Sequence, residues 1–219
     1  MKFITDYLEI QMDMTNDKAN MLIIENPKTY REVIENLLAS ITEDNEQWIF
    51  SDSEKIMKKS AVIDVVKSIF SLDLENRKIQ KAVIDNLYEL AVNEEHYENT
   101  LKLMRDIEAY IYQLEWGMDC NIKASYGDFH NVLKAGVEGI LLPESLLEKF
   151  NEYIKLSARL LKTRVVLLLG VREYFTQEEW EQIETTASYE QIYLLCIENS
   201  DFEGNSNKVL IDLDNCRIV

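Results

Sequence analysis

Glu115 and Asp119 stand one helical turn apart near the end of a long helical pattern, and Asp128 follows beside a glycine. Grouped carboxylates are hard oxygen donors of the kind that hold calcium. The same spacing also describes a solvated acidic face. The opposite chemistry sits in three cationic groups: Lys55, Lys58, Lys59 and Lys67; then Arg77, Lys78 and Lys81; then Arg159, Lys162 and Arg164. A phosphate backbone needs a lined path of cations rather than one contact. Lys58, Lys59 and Arg77 are the favoured candidates for such a path, with Lys162 a weaker fourth. Ordinary solubilising surface is the competing account of each.

Other chemistries are missing. His96 and His130 are the only histidines, and there is no GxSxG, HExxH or CxxC. Cys120, Cys196 and Cys216 read as free thiols in a reducing compartment. The first strand-to-helix turn, Met21-Leu22-Ile23-Ile24-Glu25-Asn26-Pro27, stands where a nucleotide-binding α/β domain carries its phosphate loop. No glycine occurs before Gly117, so the backbone has no residues that close easily around phosphate oxygens. Glu25 repels phosphate, and Pro27 has no N–H to donate. The six glycines nowhere make GxxxxGK[ST] or GxGxxG. The layout of a nucleotide-binding domain without its chemistry points to a binding or scaffolding protein, expected neither to bind ATP tightly nor to hydrolyse it. Asp212-Leu213-Asp214-Asn215 resembles the start of a calcium loop only superficially and reads as a hairpin turn.

The elements that position these residues divide by character. Residues 1–10 and 20–25 read as two strands joined by a polar turn at Asn16-Asp17. Asn26 caps a helix with Pro27 at its first position, and Tyr30, Val33, Ile34, Leu37, Leu38 and Ile41 form one apolar face. Strands are expected at 48–50 and, from its β-branched content, at 61–69. Asn76 caps a helix to about Ala91, and a second runs 94–118 with a narrow seam; the two read as an antiparallel hairpin forming an arm. Then come a helix at 125–135, a strand edge at Ile140-Leu141 and a helix opened by Pro143 running to 161. A strand at 164–169 follows, then a helix begun by the capping box Thr176-Gln177-Glu178-Glu179, a strand at 191–197 and a closing hairpin around Asp214-Asn215.

These elements predict an α/β fold: an α/β head built from 1–72 and 139–219, with a helical leg, 73–138, inserted between. A chain of 219 residues, 47% hydrophobic, has enough apolar matter for a full core. Its apolar runs are too short to cross a bilayer, and its opening residues lack the apolar core of a signal peptide, so a cytoplasmic location is expected. The formal charge of −17 argues against nonspecific attraction to nucleic acid, although a basic channel inside an acidic shell gives the same total.

Several stretches carry a resemblance to a known family: Leu22-Ile23-Ile24-Glu25-Asn26, Ser71-Leu72-Asp73-Leu74-Glu75-Asn76-Arg77-Lys78-Ile79, Tyr174-Phe175-Thr176-Gln177-Glu178-Glu179, Leu194-Leu195-Cys196-Ile197-Glu198-Asn199-Ser200 and the closing Val209 to Ile218. In order and length the chain resembles the short form of the CRISPR-associated accessory protein of type II-A systems, needed for spacer acquisition. The resemblance implies a head with a degenerate nucleotide-binding-type fold, a helical leg and a homotetrameric ring with a positively lined hole. Such a ring holds double-stranded DNA, enters it at free ends and slides along it, with no nuclease or ATPase activity. It implies calcium bound near the head–leg junction, where Glu115 and Asp119 occupy the family's acidic place and Asp128 is the next candidate. The implied partners are the two integration proteins of the same locus and the effector nuclease. A protein–protein scaffold with little direct DNA contact is the alternative.

Overall fold

The computed structural model describes residues 1–53, 55–115, 122–123, 127–202 and 207–218. The chain forms two compact units, Met1–Leu74 with Leu142–Val219, and Glu75–Leu141. The first unit begins with β1 (Lys2–Thr5), β2 (Ile10–Asp13), β3 (Asn20–Ile24), α1 (Pro27–Glu43), β4 (Trp48–Asp52), β5 (Lys55–Ile56), α2 (Lys59–Val62) and β6 (Ile63–Val66), then a 3-10 turn at Ile69–Ser71. The second unit holds α3 (Arg77–Ala91), α4 (Tyr97–Glu115) and α5 (Phe129–Gly136). The first unit resumes with α6 (Leu146–Arg159), β7 (Val165–Leu169), a 3-10 turn at Arg172–Tyr174, α7 (Gln177–Tyr189), β8 (Tyr193–Glu198), β9 (Asn207–Ile211) and β10 (Arg217–Ile218). The fold is α/β. No described helix is long and apolar enough to cross a membrane.

A six-stranded sheet in the order β10-β9-β3-β8-β7-β6 organises the first unit, parallel except for the edge strand β10. Its inner strands are covered on both faces. Met21 and Ile23, Val166 and Leu168, and Leu194 and Cys196 enter one core, with Phe150, Ile154, Trp180 and Ile183 of α6 and α7. Their alternates Leu22 and Ile24, Val165 and Leu167, and Leu195 and Ile197 enter a second core with Val33 and Leu37 of α1. Period-two alternation therefore separates two apolar sets rather than apolar from polar, as expected of a parallel sheet. The second core is closed by a four-stranded antiparallel sheet, β2-β1-β4-β5, through Phe3, Ile10, Met12, Trp48 and Phe50. Phe3 stacks on Trp48 with ring centroids 5.6 Å apart.

Several expected elements are redrawn. Residues 1–10 are not one strand: β1 and β2 form a hairpin through Asp6–Glu9, where Glu9 has φ 50° without being glycine. The β-branched run 61–69 divides into the end of α2, β6 and the first residue of a 3-10 turn. The helix assigned to Pro143 starts at Leu146, because Ser145 and Glu148 form a complete capping box there. Ile140-Leu141 is irregular. The ends of the helices expected at 94–118 and 125–135 fall partly on residues outside those described. In the second unit, Asn93 accepts from Glu95 N–H and His96 N–H at the start of α4. His130 of α5 meets Asp85 of α3 at 2.9 Å.

The cap of α1 yields a prediction. The Asn26 side chain accepts from Lys28 N–H and Thr29 N–H and donates to Leu213 C=O at 2.9 Å. Asn26→Ala removes all three bonds, and chemical denaturation should show a loss of about 1 kcal/mol, the usual cost of a lost N-cap. An unchanged midpoint would mean that this cap is dispensable.

Candidate functional site

Ligands of parallel α/β sheets bind outside the carboxyl ends of the strands, where the strand order reverses. Here that reversal is at β3, since the chain leaves β3 toward β6 on one side and returns to β9 on the other. The protein's own side chains fill this end of the sheet. Asn26 Oδ1 sits on the first free N–H groups of α1, the position a phosphate would take. Thr29 Oγ1 donates to Asn215 Oδ1 at 2.6 Å, so the closing hairpin is tied over the same helix start.

Beside it lies buried Glu198, the last residue of β8. Its Oε1 accepts from Val171 N–H and Arg172 N–H, both at 3.0 Å. Burial pushes its carboxyl up to about 7, against the lowering effect of those two N–H groups and of the Arg172 cation, with Glu173 adding to the rise. The Tyr30 hydroxyl donates to Ile197 C=O at 3.3 Å. Burial, then the nearby Glu198 and Glu173 charges, push this phenol to about 12. Gly170 has φ +61°, and a Cβ there would stand 3.4 Å from the Tyr30 hydroxyl. Arg172 donates to Phe175 C=O and Gln177 Oε1 and lies over the rings of Trp180 and Phe202. Sequence reading missed this network, because Glu198 and Arg172 look like surface residues until β7 and β8 are paired.

The opposite end of the sheet has a different character. A cleft of about 670 Å³ is lined by Asp52, Ser53, Lys55, Ile56, Met57, Lys58, Val62 and Arg164. Lys58 precedes α2, and Arg164 precedes β7. The parallel pairing of Ile63 with Val165 brings these two sequence-distant cations to one edge. Arg164 donates to Asp52 at 3.1 Å. Lys55 and Lys58 are exposed and form no ion pair among the described residues.

The expected cations separate accordingly. Lys58 lines the cleft. Lys59 does not face solvent: it is 4% exposed, and its ammonium lies 2.5 Å from Asn45 C=O and 3.6 Å from Asp44. It fastens the end of α1, where Asp44 is left-handed with φ 55°, to α2. Lys162 is exposed in the α6–β7 turn. Arg159 is held by Glu190 through two hydrogen bonds. Arg77 opens α3 in the second unit and is exposed.

The expected metal ligands divide differently. Glu115 ends α4, where the helix dipole disfavours a carboxylate, and its Oε1 accepts from Ile122 N–H at 2.8 Å. Asp128 caps α5 by accepting from His130 N–H at 3.0 Å. Asp119 lies outside the described residues. Among the described residues no three of His, Cys, Asp and Glu come together to hold a metal ion. Glu115 and Asp128 suit calcium in kind, as hard oxygen donors, but two carboxylates fall short of its six to eight oxygens.

A family model described as CRISPR-associated protein (Cas_Csn2) matches residues 40–215, well over half of the chain. A comparison with curated proteins returns no match.

Glu198 makes stability depend on pH. Its folded pKa lies above its ordinary value, so its contribution is complete below the ordinary carboxylate range and is lost as pH rises through about 7. The melting temperature should fall between pH 5 and pH 8, and Glu198→Gln, which still accepts both N–H bonds, should flatten that fall. Identical slopes in the two proteins would assign the pH dependence to other groups.

Proposed function

The chain belongs to the Cas_Csn2 family of CRISPR-associated proteins, and from that premise we propose that it is a non-enzymatic, calcium-dependent ring protein. In this reading it holds double-stranded DNA by its ends during spacer acquisition in the cytoplasm. It acts as a homotetramer beside the integration proteins and the effector nuclease of its locus. The observation that carries the DNA reading is the cleft with Lys55, Lys58 and Arg164 in a chain of net charge −17. Lysines without an ion-pair partner among the described residues, at one edge of a sheet, are suited to contact phosphate. The non-enzymatic reading is supported at the other end of the sheet, where Asn26, Thr29 and Asn215 take up the hydrogen bonds a nucleotide would need.

Lys58 is the first phosphate contact of this proposal, with Lys55 and Arg164 beside it; exposed Lys162 extends the set, exposed Arg77 is a separate candidate on the second unit, and buried Lys59 leaves the set. The calcium site is proposed around Glu115, Asp119 and Asp128. A cation there relieves the carboxylate at the C-terminal end of α4. One observation favours a protein scaffold instead. Phe70 and Tyr174 are 67% and 45% exposed and pack edge to face at 5.0 Å, and exposed aromatic residues are common anchors of protein interfaces.

Gel shifts of linear and covalently closed circular DNA, in calcium and then in chelator, separate the two readings. The ring reading expects linear DNA to shift in calcium, the circle not to shift, and chelator to abolish binding. No shift of either form would leave the scaffold. Replacing Lys55 and Lys58 with Glu should weaken binding on every sequence alike and make the salt dependence shallower. One or two contacts from each of four subunits correspond to roughly four to eight counterions. Lys59→Met should lower the melting temperature and leave that salt slope alone. A salt slope unchanged by the Lys55 and Lys58 replacements would place the DNA path elsewhere.

Replacing Glu115 and Asp119 with Ala should lower the melting temperature in calcium and remove the difference between calcium and chelator. A calcium-dependent rise that survives in the double variant would assign the ion to other ligands.

A further inference from the structure

The cleft at the amino ends of β6 and β7 combines two chemistries, and a track for duplex backbone needs only one of them. Its cations are Lys55, Lys58 and Arg164; its remaining wall is aliphatic, made by Ile56, Met57 and Val62. Ile56 is 63% exposed on the two-residue edge strand β5, and with Met57 it separates the two lysines in sequence. Lone exposed apolar residues are common on protein surfaces. This one shares a concave wall with Met57 and Val62, both only partly exposed, in a cleft of about 670 Å³. That volume lies in the range of small-molecule sites, which pair an apolar lining with a few placed charges.

A base pair within a duplex has both faces covered by its neighbours, so an aliphatic wall gains nothing from it. A base without a stacking partner has a free face to bury. We infer that the cleft seats one nucleoside phosphate unit at a frayed or overhanging DNA terminus, with the phosphate on Lys55 and Lys58 and the base on Ile56, Met57 and Val62. Asp52 lies on the Arg164 side of the cleft and binds that guanidinium at 3.1 Å, and Ser53 turns its hydroxyl to the same carboxylate. The negative charge there directs the phosphate to the lysine side, which also sets the base toward Ile56. This inference rests on the DNA reading above and deepens it by naming the form of the end that is bound.

Fluorescence anisotropy in calcium can compare a blunt duplex, the same duplex with a short single-stranded overhang, and an overhang of abasic nucleotides. The overhang should bind about five- to tenfold tighter than the blunt end, the low end of what one stacked base is worth. The abasic overhang keeps the added phosphates and should bind like the blunt end. Ile56→Ser should bring the ratio of overhang to blunt-end affinity to about one, and Met57→Ala carries the same expectation should the first variant fold poorly. Equal binding of all three DNAs would overturn the inference and leave the ring reading standing. No binding of any DNA would overturn both. Displacement of blunt and overhanging DNA alike by a nucleoside monophosphate would make the cleft a site for free nucleotides and overturn its assignment to a DNA terminus.

Discussion

The central strands β3, β7 and β8 have no face left for water, and the rest of the first unit follows from that constraint. A sheet buried on both sides needs one cover from α6 and α7 and another from α1 with the four-stranded sheet. Their backbone groups pair within the sheet, and the few polar side chains taken inside must carry their own partners. Asn20, at the start of β3, meets this demand in full. Its amide donates to Leu194 C=O and Thr15 C=O, and its carbonyl accepts from Thr15 N–H and from Asn207. Glu184 does the same under the sheet, receiving Ala19 N–H and the Lys18 ammonium.

The same economy separates the two ends of the sheet. At the carboxyl end, free backbone N–H groups are met from within the protein: Glu198 accepts from the buried N–H groups of Val171 and Arg172, and Asn26 from the more exposed ones at the start of α1. Gly170 allows Tyr30 to approach. An end closed by its own hydrogen bonds has little left to offer a ligand. At the amino end, β7 starts beside the β4–β5 turn, and the cations there are set by where strands begin. In the proposed reading the ligand contacts lie at the amino ends of the strands, opposite the end that parallel α/β sheets usually use.

How much of this was legible in the sequence depends on the range of each interaction. Asn26 with the Tyr30, Val33 and Leu37 stripe, Asn76, and the Thr176 capping box are all recognisable within about one or two helical turns of sequence, and each expected helix start is present. The β1–β2 hairpin was hidden because its turn, Asp6-Tyr7-Leu8-Glu9, places glutamate in a left-handed conformation where glycine or asparagine would have signalled it. The second sheet was hidden because period-two patterning assigns a strand its faces but not its partners. The candidate site was half visible. Lys58 was identified as part of a cationic cluster, while Lys59, its neighbour, turned inward to Asn45, a partner fourteen positions away. Arg164 joined the cleft only through the pairing of β6 with β7.

Net charge and local charge act at different ranges, which decides how an acidic chain is able to hold a polyanion. At physiological ionic strength the screening length is about 8 Å, so carboxylates farther than that from the cleft contribute little to a phosphate seated in it. What counts there is which cations already have a partner. Arg159 is closed by Glu190 and Lys208 is paired with Asp201; neither offers a phosphate much. Lys59 is buried, and Arg164 divides its donors between Asp52 and the cleft. Lys55 and Lys58 have no such competitor among the described residues, which makes them the better candidates for the proposed phosphate contact. In the proposed DNA-holding role, a chain of charge −17 would approach DNA without long-range attraction and would depend on a few local contacts. Such contacts are weak singly. Repetition around the proposed ring would multiply them without adding a basic surface, because the first contact raises the effective concentration for the rest.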